Sequence, residues 1–241
     1  MLFQRKPLSR RHVDRAAILV PIYVHVVARV SEAVVANGRH VAHRTDVANS
    51  SEYDRLILKV GSMHFVTTSD KTRLYVKDWG TGRPVILIHG WPLSADSWDD
   101  QAMAIADAGY RAIAYDRRGF GRSSQPWNGY DYDTLADDLS AVIEQTHAQD
   151  ATLVGFSMGG GEVARYMSRH ERKKVVQAGL ISSILPYRLK TQDNPAGTEQ
   201  ADLDLTAQSL MYDRPAFLTG FFKNFFGVSE RSLAVSPEML Q

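Results

Sequence analysis

Short apolar runs alternate with stretches of helical periodicity between residues 84 and 184, and this alternation restricts the possible fold more than any other feature. A hairpin, predicted from residues 64–68 and 74–79, precedes them. The apolar runs predict four buried strands, at residues 84–88, 112–115, 152–154 and 175–184. The stretches between them predict helices, at residues 95–108, 132–146 and 158–169. Strands that alternate with helices form a mostly parallel sheet covered by helices on both faces, so the sequence predicts the α/β class.

A serine between two glycines lies where one of these strands meets the next helix. The sequence is Gly155-Phe156-Ser157-Met158-Gly159, which fits the pattern G-x-S-x-G in its strand–turn–helix context. Such a turn is so tight that side chains at the two glycine positions would collide with neighbouring backbone. It holds the serine hydroxyl exposed at the carboxyl end of the sheet. We therefore expect Ser157 to be a nucleophile, with Gly155 and Gly159 permitting its turn. A serine that only caps the helix is the alternative.

A second motif, His89-Gly90-Trp91-Pro92, follows the strand at residues 84–88. Acyl transfer develops negative charge on an oxygen, and two backbone N–H groups held in place in advance must meet that charge. One donor is expected from Met158, directly after the nucleophile, and the other from Trp91 in this earlier loop. His89 is expected to hold the loop through hydrogen bonds and not to act as a base.

The strand at residues 112–115 ends in a polar loop rich in arginine and glycine, Asp116-Arg117-Arg118-Gly119-Phe120-Gly121-Arg122-Ser123. Its spacing matches neither dinucleotide-binding nor Walker-type glycine loops, so nucleotide binding is not expected. We expect a structural turn in which Asp116 pairs with the arginines.

With these motifs the chain resembles the α/β-hydrolases, and among them the bacterial aryl esterases and cofactor-free, non-haem haloperoxidases (perhydrolases). The resemblance covers residues 63–187 and includes Lys77-Asp78-Trp79-Gly80 and the run Tyr130-Asp131-Tyr132-Asp133. It implies a serine esterase that acts on small-molecule esters without a metal or organic cofactor. It also implies that the same site can pass an acyl group to hydrogen peroxide, giving a peracid that oxidises halide. Trp91 and Met158 are the oxyanion donors that the resemblance implies.

The catalytic acid and base that this fold uses are not found in the sequence. They follow the serine in the order Ser, Asp or Glu, His. The one histidine after Ser157 is His170, which lies thirteen residues further on, roughly 20 Å along a helix. Four acids have no partner base: Asp193, Asp202, Asp204 and Asp213. We therefore expect a C-terminally truncated enzyme of impaired activity, in which residues 188–241 begin a helical cap.

Two alternatives to the esterase prediction stay open. One is a lyase or carbon–carbon hydrolase of the same fold, since the cap pocket decides between these chemistries. The other is a non-catalytic fragment or binding module.

Residues 1–62 differ in character from the rest of the chain. They hold 10 basic and 5 acidic residues, whereas the whole chain has a net charge of +1. Residues 31–62 show no sustained periodicity, so we expect residues 1–62 to be an extension without a fold of its own. The protein is expected to be cytoplasmic. A signal within residues 1–36, and hence export, is the alternative. Their apolar run is too short for a stable membrane span.

The composition of the whole chain excludes two kinds of function. Its net charge of +1 argues against nucleic-acid binding, and the absence of cysteine excludes thiolate metal sites. The oligomeric state is not predicted.

Overall fold

The computed structural model describes residues 65–228, which divide after Tyr187 into two units. The predictions for residues 1–62 and for the end of the cap lie outside the described residues. No helix between residues 65 and 228 is both long enough and apolar enough to cross a bilayer.

The first unit contains a six-stranded sheet. Its strands are β1 (Phe65–Thr67), β2 (Arg73–Gly80), β3 (Pro84–Ile88), β4 (Arg111–Tyr115), β5 (Ala151–Phe156) and β6 (Val175–Ile181). The spatial order is β1-β2-β4-β3-β5-β6, with β1 and β2 forming the predicted hairpin. β2 pairs antiparallel with β4, whereas β4, β3, β5 and β6 are parallel. The predicted α/β fold with a mostly parallel sheet is confirmed.

Three α-helices connect the strands of this unit, namely α1 (Asp99–Asp107), α2 (Tyr132–Gln145) and α3 (Met158–Arg169). A separate 3-10 helix, Ala95–Trp98, precedes α1 where one continuous helix was predicted, and the Ser94 side chain caps it. The expected apolar face of α2 is fully buried: Leu135, Leu139, Val142 and Ile143. β6 ends at Ile181, three residues earlier than predicted.

The parallel register explains why the sequence motifs converge. Ile88 at the end of β3 lies beside Gly155 near the end of β5, and beside Tyr115 at the end of β4. The loops that follow these three strands therefore leave the sheet at one edge. Strands β3 and β5 are buried along their whole length, so this edge is fixed by a solid core.

The second unit, from residue 188 onward, contains α4 (Gln200–Tyr212) and α5 (Arg214–Phe225). A loop precedes them in which Leu189 pairs with Thr198 and the Asn194 amide donates to the Leu189 carbonyl at 3.0 Å. Neither helix has a buried residue, although phenylalanine rings stack along α5, as Phe221 does on Phe225 with centroids 5.8 Å apart.

Candidate active site

Ser157 is held in a strained backbone conformation between β5 and α3. Its φ of 52° and ψ of −113° are unusual for a residue with a side chain. The surrounding backbone fixes this conformation. The Ser157 N–H donates to the Ile181 carbonyl at 2.9 Å, and the Ser157 carbonyl accepts from the N–H groups of Gly160 at 3.0 Å and Ile184 at 3.1 Å. Ser157 as a residue is half-buried.

The two glycines of the motif lie where backbone segments approach closely. A Cβ on Gly155 would lie 2.6 Å from the Gly159 carbonyl carbon and 2.7 Å from the Gly160 Cα. A Cβ on Gly159 would lie 2.9 Å from the Ile88 carbonyl carbon. These distances are shorter than real Cβ contacts, so a side chain at either position would force the neighbouring backbone to shift.

The loop at residues 89–92 lies against the serine turn. A Cβ on Gly90 would lie 3.1 Å from the Ser157 Cβ and 2.8 Å from the Phe156 ring, so only a glycine fits there without a shift. The Trp91–Pro92 peptide is cis, and the Leu93 N–H donates to the Gly90 carbonyl at 3.0 Å. Met158 is the first residue of α3, where N–H groups have no acceptor within the helix. The loop that contains Trp91 therefore lies beside the turn that contains Ser157 and Met158.

His89 lies at this edge of the sheet but both its ring nitrogens are engaged. Nε2 accepts a hydrogen bond from the Arg117 N–H at 3.1 Å, and Nδ1 lies 2.9 Å from the Gly90 carbonyl, to which it donates. Burial and, less strongly, the positive charge of Arg117 lower the pKa of His89 to about 3. A ring that accepts a backbone N–H and is almost fully buried cannot take a proton from Ser157. The expectation that His89 holds the loop agrees with this geometry.

Arg117 joins the loop at residues 89–92 to the helix that follows Ser157. Its Nη2 donates to the His89 carbonyl at 2.5 Å, and its Nε donates to Glu162 of α3 at 2.6 Å. The Tyr115 hydroxyl donates to the other oxygen of Glu162. All three side chains are fully buried, and burial raises the pKa values of Tyr115 and Glu162. Within the described residues Arg117 Nη1 is buried without a hydrogen-bond acceptor.

The expected pairing of Asp116 with the arginines is correct for Arg122 and wrong for the other two. Asp116 accepts from the Arg122 N–H at 2.7 Å, from its Nε at 2.8 Å and from the Ala95 N–H at 2.8 Å. Arg117 instead pairs with Glu162. Arg118 pairs with Asp138 of α2 through two hydrogen bonds of 2.6 Å, and with Asp70 at 2.9 Å. Arg117 and Arg118 therefore join the loop to two different helices, whereas Arg122 pairs within the loop.

The other histidines of the described residues lie away from the serine. His147 comes before the start of β5, whereas Ser157 follows its end, and six residues of strand span roughly 20 Å. His170 follows the far end of α3, where its Nε2 lies 2.9 Å from Asp137 and its ring stacks on Tyr166. Two of the later acids have local roles in the second unit, since Asp213 caps α5 and Asp204 accepts from Gln200.

No group of three or more histidine, cysteine or acidic side chains that could hold a metal occurs within residues 65–228. The described edge of the sheet therefore offers a hydroxyl, backbone N–H groups and a buried ion pair.

Sequence reasoning missed the parts played by Glu162 and Tyr115. Glu162 follows three glycines at the start of a helix, where apolar residues are expected. A glutamate there could have indicated a buried ion pair, because such a charge is buried only when it is paired. Its partner, 45 residues away in sequence, had no local signature.

The family model and the similar proteins all indicate the same family. Residues 83–233 match the family described as alpha/beta hydrolase fold. Over 167 residues the chain is 45% identical to a non-heme chloroperoxidase from Kitasatospora aureofaciens. This match covers 69% of this chain and 61% of the chloroperoxidase. It is also 45% identical over 157 residues to a bifunctional esterase/perhydrolase from Acinetobacter calcoaceticus. This match covers 64% of this chain and 57% of the esterase/perhydrolase.

A crystal structure of bromoperoxidase from Bacillus anthracis superposes with a TM-score of 0.69 at 46% identity. The match covers 73% of this chain and 64% of the bromoperoxidase chain. The chain thus spans less than two thirds of the length of each of these three proteins.

Proposed function

Because this chain belongs to the α/β-hydrolase family, in its esterase and non-heme haloperoxidase group, we propose that Ser157 attacks carboxylic esters to form an acyl-serine. The strained conformation of Ser157, beside Gly90 and at the start of α3, is the observation that carries this assignment. It combines the hydroxyl of a half-buried serine with a neighbouring loop and a helix N-terminus, whose dipole favours negative charge.

The acylation step assigns a role to each group. The Ser157 Oγ bonds to the ester carbonyl carbon, and the carbonyl oxygen becomes an oxyanion that the N–H groups of Trp91 and Met158 stabilise. Each such donor typically lowers the barrier by about 3–4 kcal/mol. The bond to the alcohol then breaks, and the serine proton passes through a base to the departing oxygen. None of the three histidines of the described residues is placed to be that base.

Water releases the acyl group as a carboxylic acid, and hydrogen peroxide would release it as a peracid. The second reaction fits the name of the Acinetobacter relative, which is an esterase/perhydrolase. The substrate class proposed here is therefore a small carboxylic ester.

The test is acylation of the 241-residue chain by p-nitrophenyl acetate. We expect one equivalent of p-nitrophenolate per chain and one acetyl group, located on Ser157 by intact mass and peptide mapping. Ser157→Ala should abolish both signals. Ser97→Ala is the control, because Ser97 lies in the 3-10 helix and its hydroxyl donates to the Ser94 carbonyl.

Equal release by the parent chain and Ser157→Ala would refute the acyl-serine and favour a non-catalytic role. Rapid turnover after the first equivalent would show that a base is present, and its identity could then be sought by substituting the histidines one at a time.

A further inference from the structure

The strongest unassigned feature of the described residues is the buried ion pair between Arg117 and Glu162. It is the only buried pair in this part of the chain that reaches the loop at residues 89–92. Both side chains are fully excluded from solvent. Buried ion pairs contribute little net stability, because desolvation offsets their attraction. A role other than stability therefore merits a test.

The geometry of Arg117 ties together the two segments that supply the proposed oxyanion donors. On one side its Nη2 holds the His89 carbonyl and its main-chain N–H holds the His89 ring. Trp91 lies two residues further along that loop. On the other side its Nε holds Glu162, five residues after Ser157 on α3. Met158 is the first residue of the same helix.

We propose that Arg117 is a positioning residue, which sets the separation between the Trp91 and Met158 N–H groups through its hydrogen bonds to His89 and Glu162. This inference rests on the proposed acyl transfer at Ser157, because the two N–H groups matter as a pair only if an oxyanion forms between them. A planar guanidinium can hold two acceptors in fixed directions, which an ammonium group cannot do.

The chain supplies a matched control pair. Arg118 and Asp138 are as deeply buried as Arg117 and Glu162 and make hydrogen bonds of the same length, but they join the loop to α2 and not to residues 89–92. Removing either pair should disturb the fold to a similar degree. Only removal of the first pair should disturb the separation of the two donors.

The experiment compares Arg117→Met/Glu162→Gln with Arg118→Met/Asp138→Asn. The glutamine that replaces Glu162 keeps an acceptor for the Tyr115 hydroxyl, and neither double variant leaves an unpaired charge in the core. For the first variant we expect acylation of Ser157 by p-nitrophenyl acetate to slow about 100-fold, as a misplacement near 1 Å would cause, without weaker ester binding. For the control variant we expect a rate close to that of the parent chain.

Arg117→Lys keeps a positive charge beside Glu162 but lacks the planar fork, and it is a second variant should the double substitution not fold. It should remain slow. Full recovery of the rate by lysine would overturn the proposal, because charge compensation alone would then suffice.

A readout independent of chemistry separates this inference from the proposed function. Backbone amide resonances of Trp91 and Met158 should both shift in Arg117→Met/Glu162→Gln, and in Arg117→Lys, but not in the control. If the parent chain is not acylated while these resonances move as expected, the proposed function fails and the positioning role stands. A folded variant with the parent rate, or with unmoved Trp91 and Met158 resonances, would overturn the positioning role.

Discussion

His89 has lost its ordinary acid–base behaviour because of the groups that enclose it. Its Nε2 accepts a main-chain N–H, its Nδ1 donates to a carbonyl, and the ring packs edge-on against Phe120 with centroids 5.3 Å apart. Protonation would remove the acceptor and place a charge beside Arg117. The ring therefore acts as a neutral hydrogen-bonding link between the ends of β3 and β4.

This link should make folding stability depend on pH. Burial holds the pKa of His89 at about 3 in the folded chain, against an unfolded value of 6.5. Between these values the unfolded state binds a proton that the folded state does not, so stability decreases as pH falls below 6.5. We expect this residue to contribute a loss of about 2 kcal/mol between pH 7 and pH 5. Urea unfolding at the two pH values measures it.

His89→Gln should reduce that pH dependence, since glutamine can still accept a hydrogen bond but does not titrate. An equal loss of stability in His89→Gln and the parent chain would contradict the shifted pKa.

At the turn that joins β5 to α3, the two elements approach closely. The strand runs directly into the helix through Ser157, and the glycines remove the side chains that would separate the two backbones. Gly155 is packed against the first turn of α3. On the neighbouring strand β6, Gly179 has more room, because a Cβ added there would lie 3.8 Å from the nearest atom.

These two glycines should therefore respond differently to alanine. Gly155→Ala forces the turn apart, and overpacking of this kind costs about 1–3 kcal/mol of unfolding free energy. It should also slow acylation of Ser157. Gly179→Ala should leave stability unchanged or slightly raised, because alanine loses less chain entropy than glycine. Chemical denaturation of both variants checks this, and equal effects would show that the close approach at Gly155 is relieved by adjustment elsewhere.

The sequence was informative about elements and less so about the contacts between them. Buried strands need apolar residues on both faces, so β3, β4 and β5 were recognisable as continuous apolar runs. The helix α2 was recognisable from the helical spacing of its apolar residues. The loop after β4 was predicted to pair within itself because Asp116 and three arginines are close in sequence. Two of those arginines instead find carboxylates on α2 and α3. Such pairs depend on how helices pack, which no local pattern encodes.

At the scale of the whole chain, the two units differ in how much they bury. The first has a continuous core that includes Val66, Ile86, Ile113, Leu153 and Val163. The second contains α4 and α5, neither of which has a buried residue. The boundary predicted after residue 187 from the family resemblance remains a prediction about domains.

This difference should appear in hydrogen–deuterium exchange. Amide protection follows the free energy of local opening, which is highest in buried elements. We expect amides of β3, β4 and β5 to exchange slowest, and those of α4 and α5 to exchange far faster under the same native conditions. Mass spectrometry of peptic peptides resolves the two sets. Protection of α4 equal to that of β5 would contradict this expectation and would mean that α4 is covered in solution.

The distance in sequence between Arg117 and its carboxylate has a consequence for synthesis on the ribosome. At about 5–20 residues per second, the 45 residues from Arg117 to Glu162 take roughly 2–9 s to make. Throughout that interval a growing chain that already holds β3 and β4 has the His89 carbonyl but not the carboxylate that pairs with the Arg117 guanidinium. The charged side chain should stay hydrated until its carboxylate partner is available. We therefore expect the loop at residues 89–92 to pack against the Ser157 turn only after α3 has been translated.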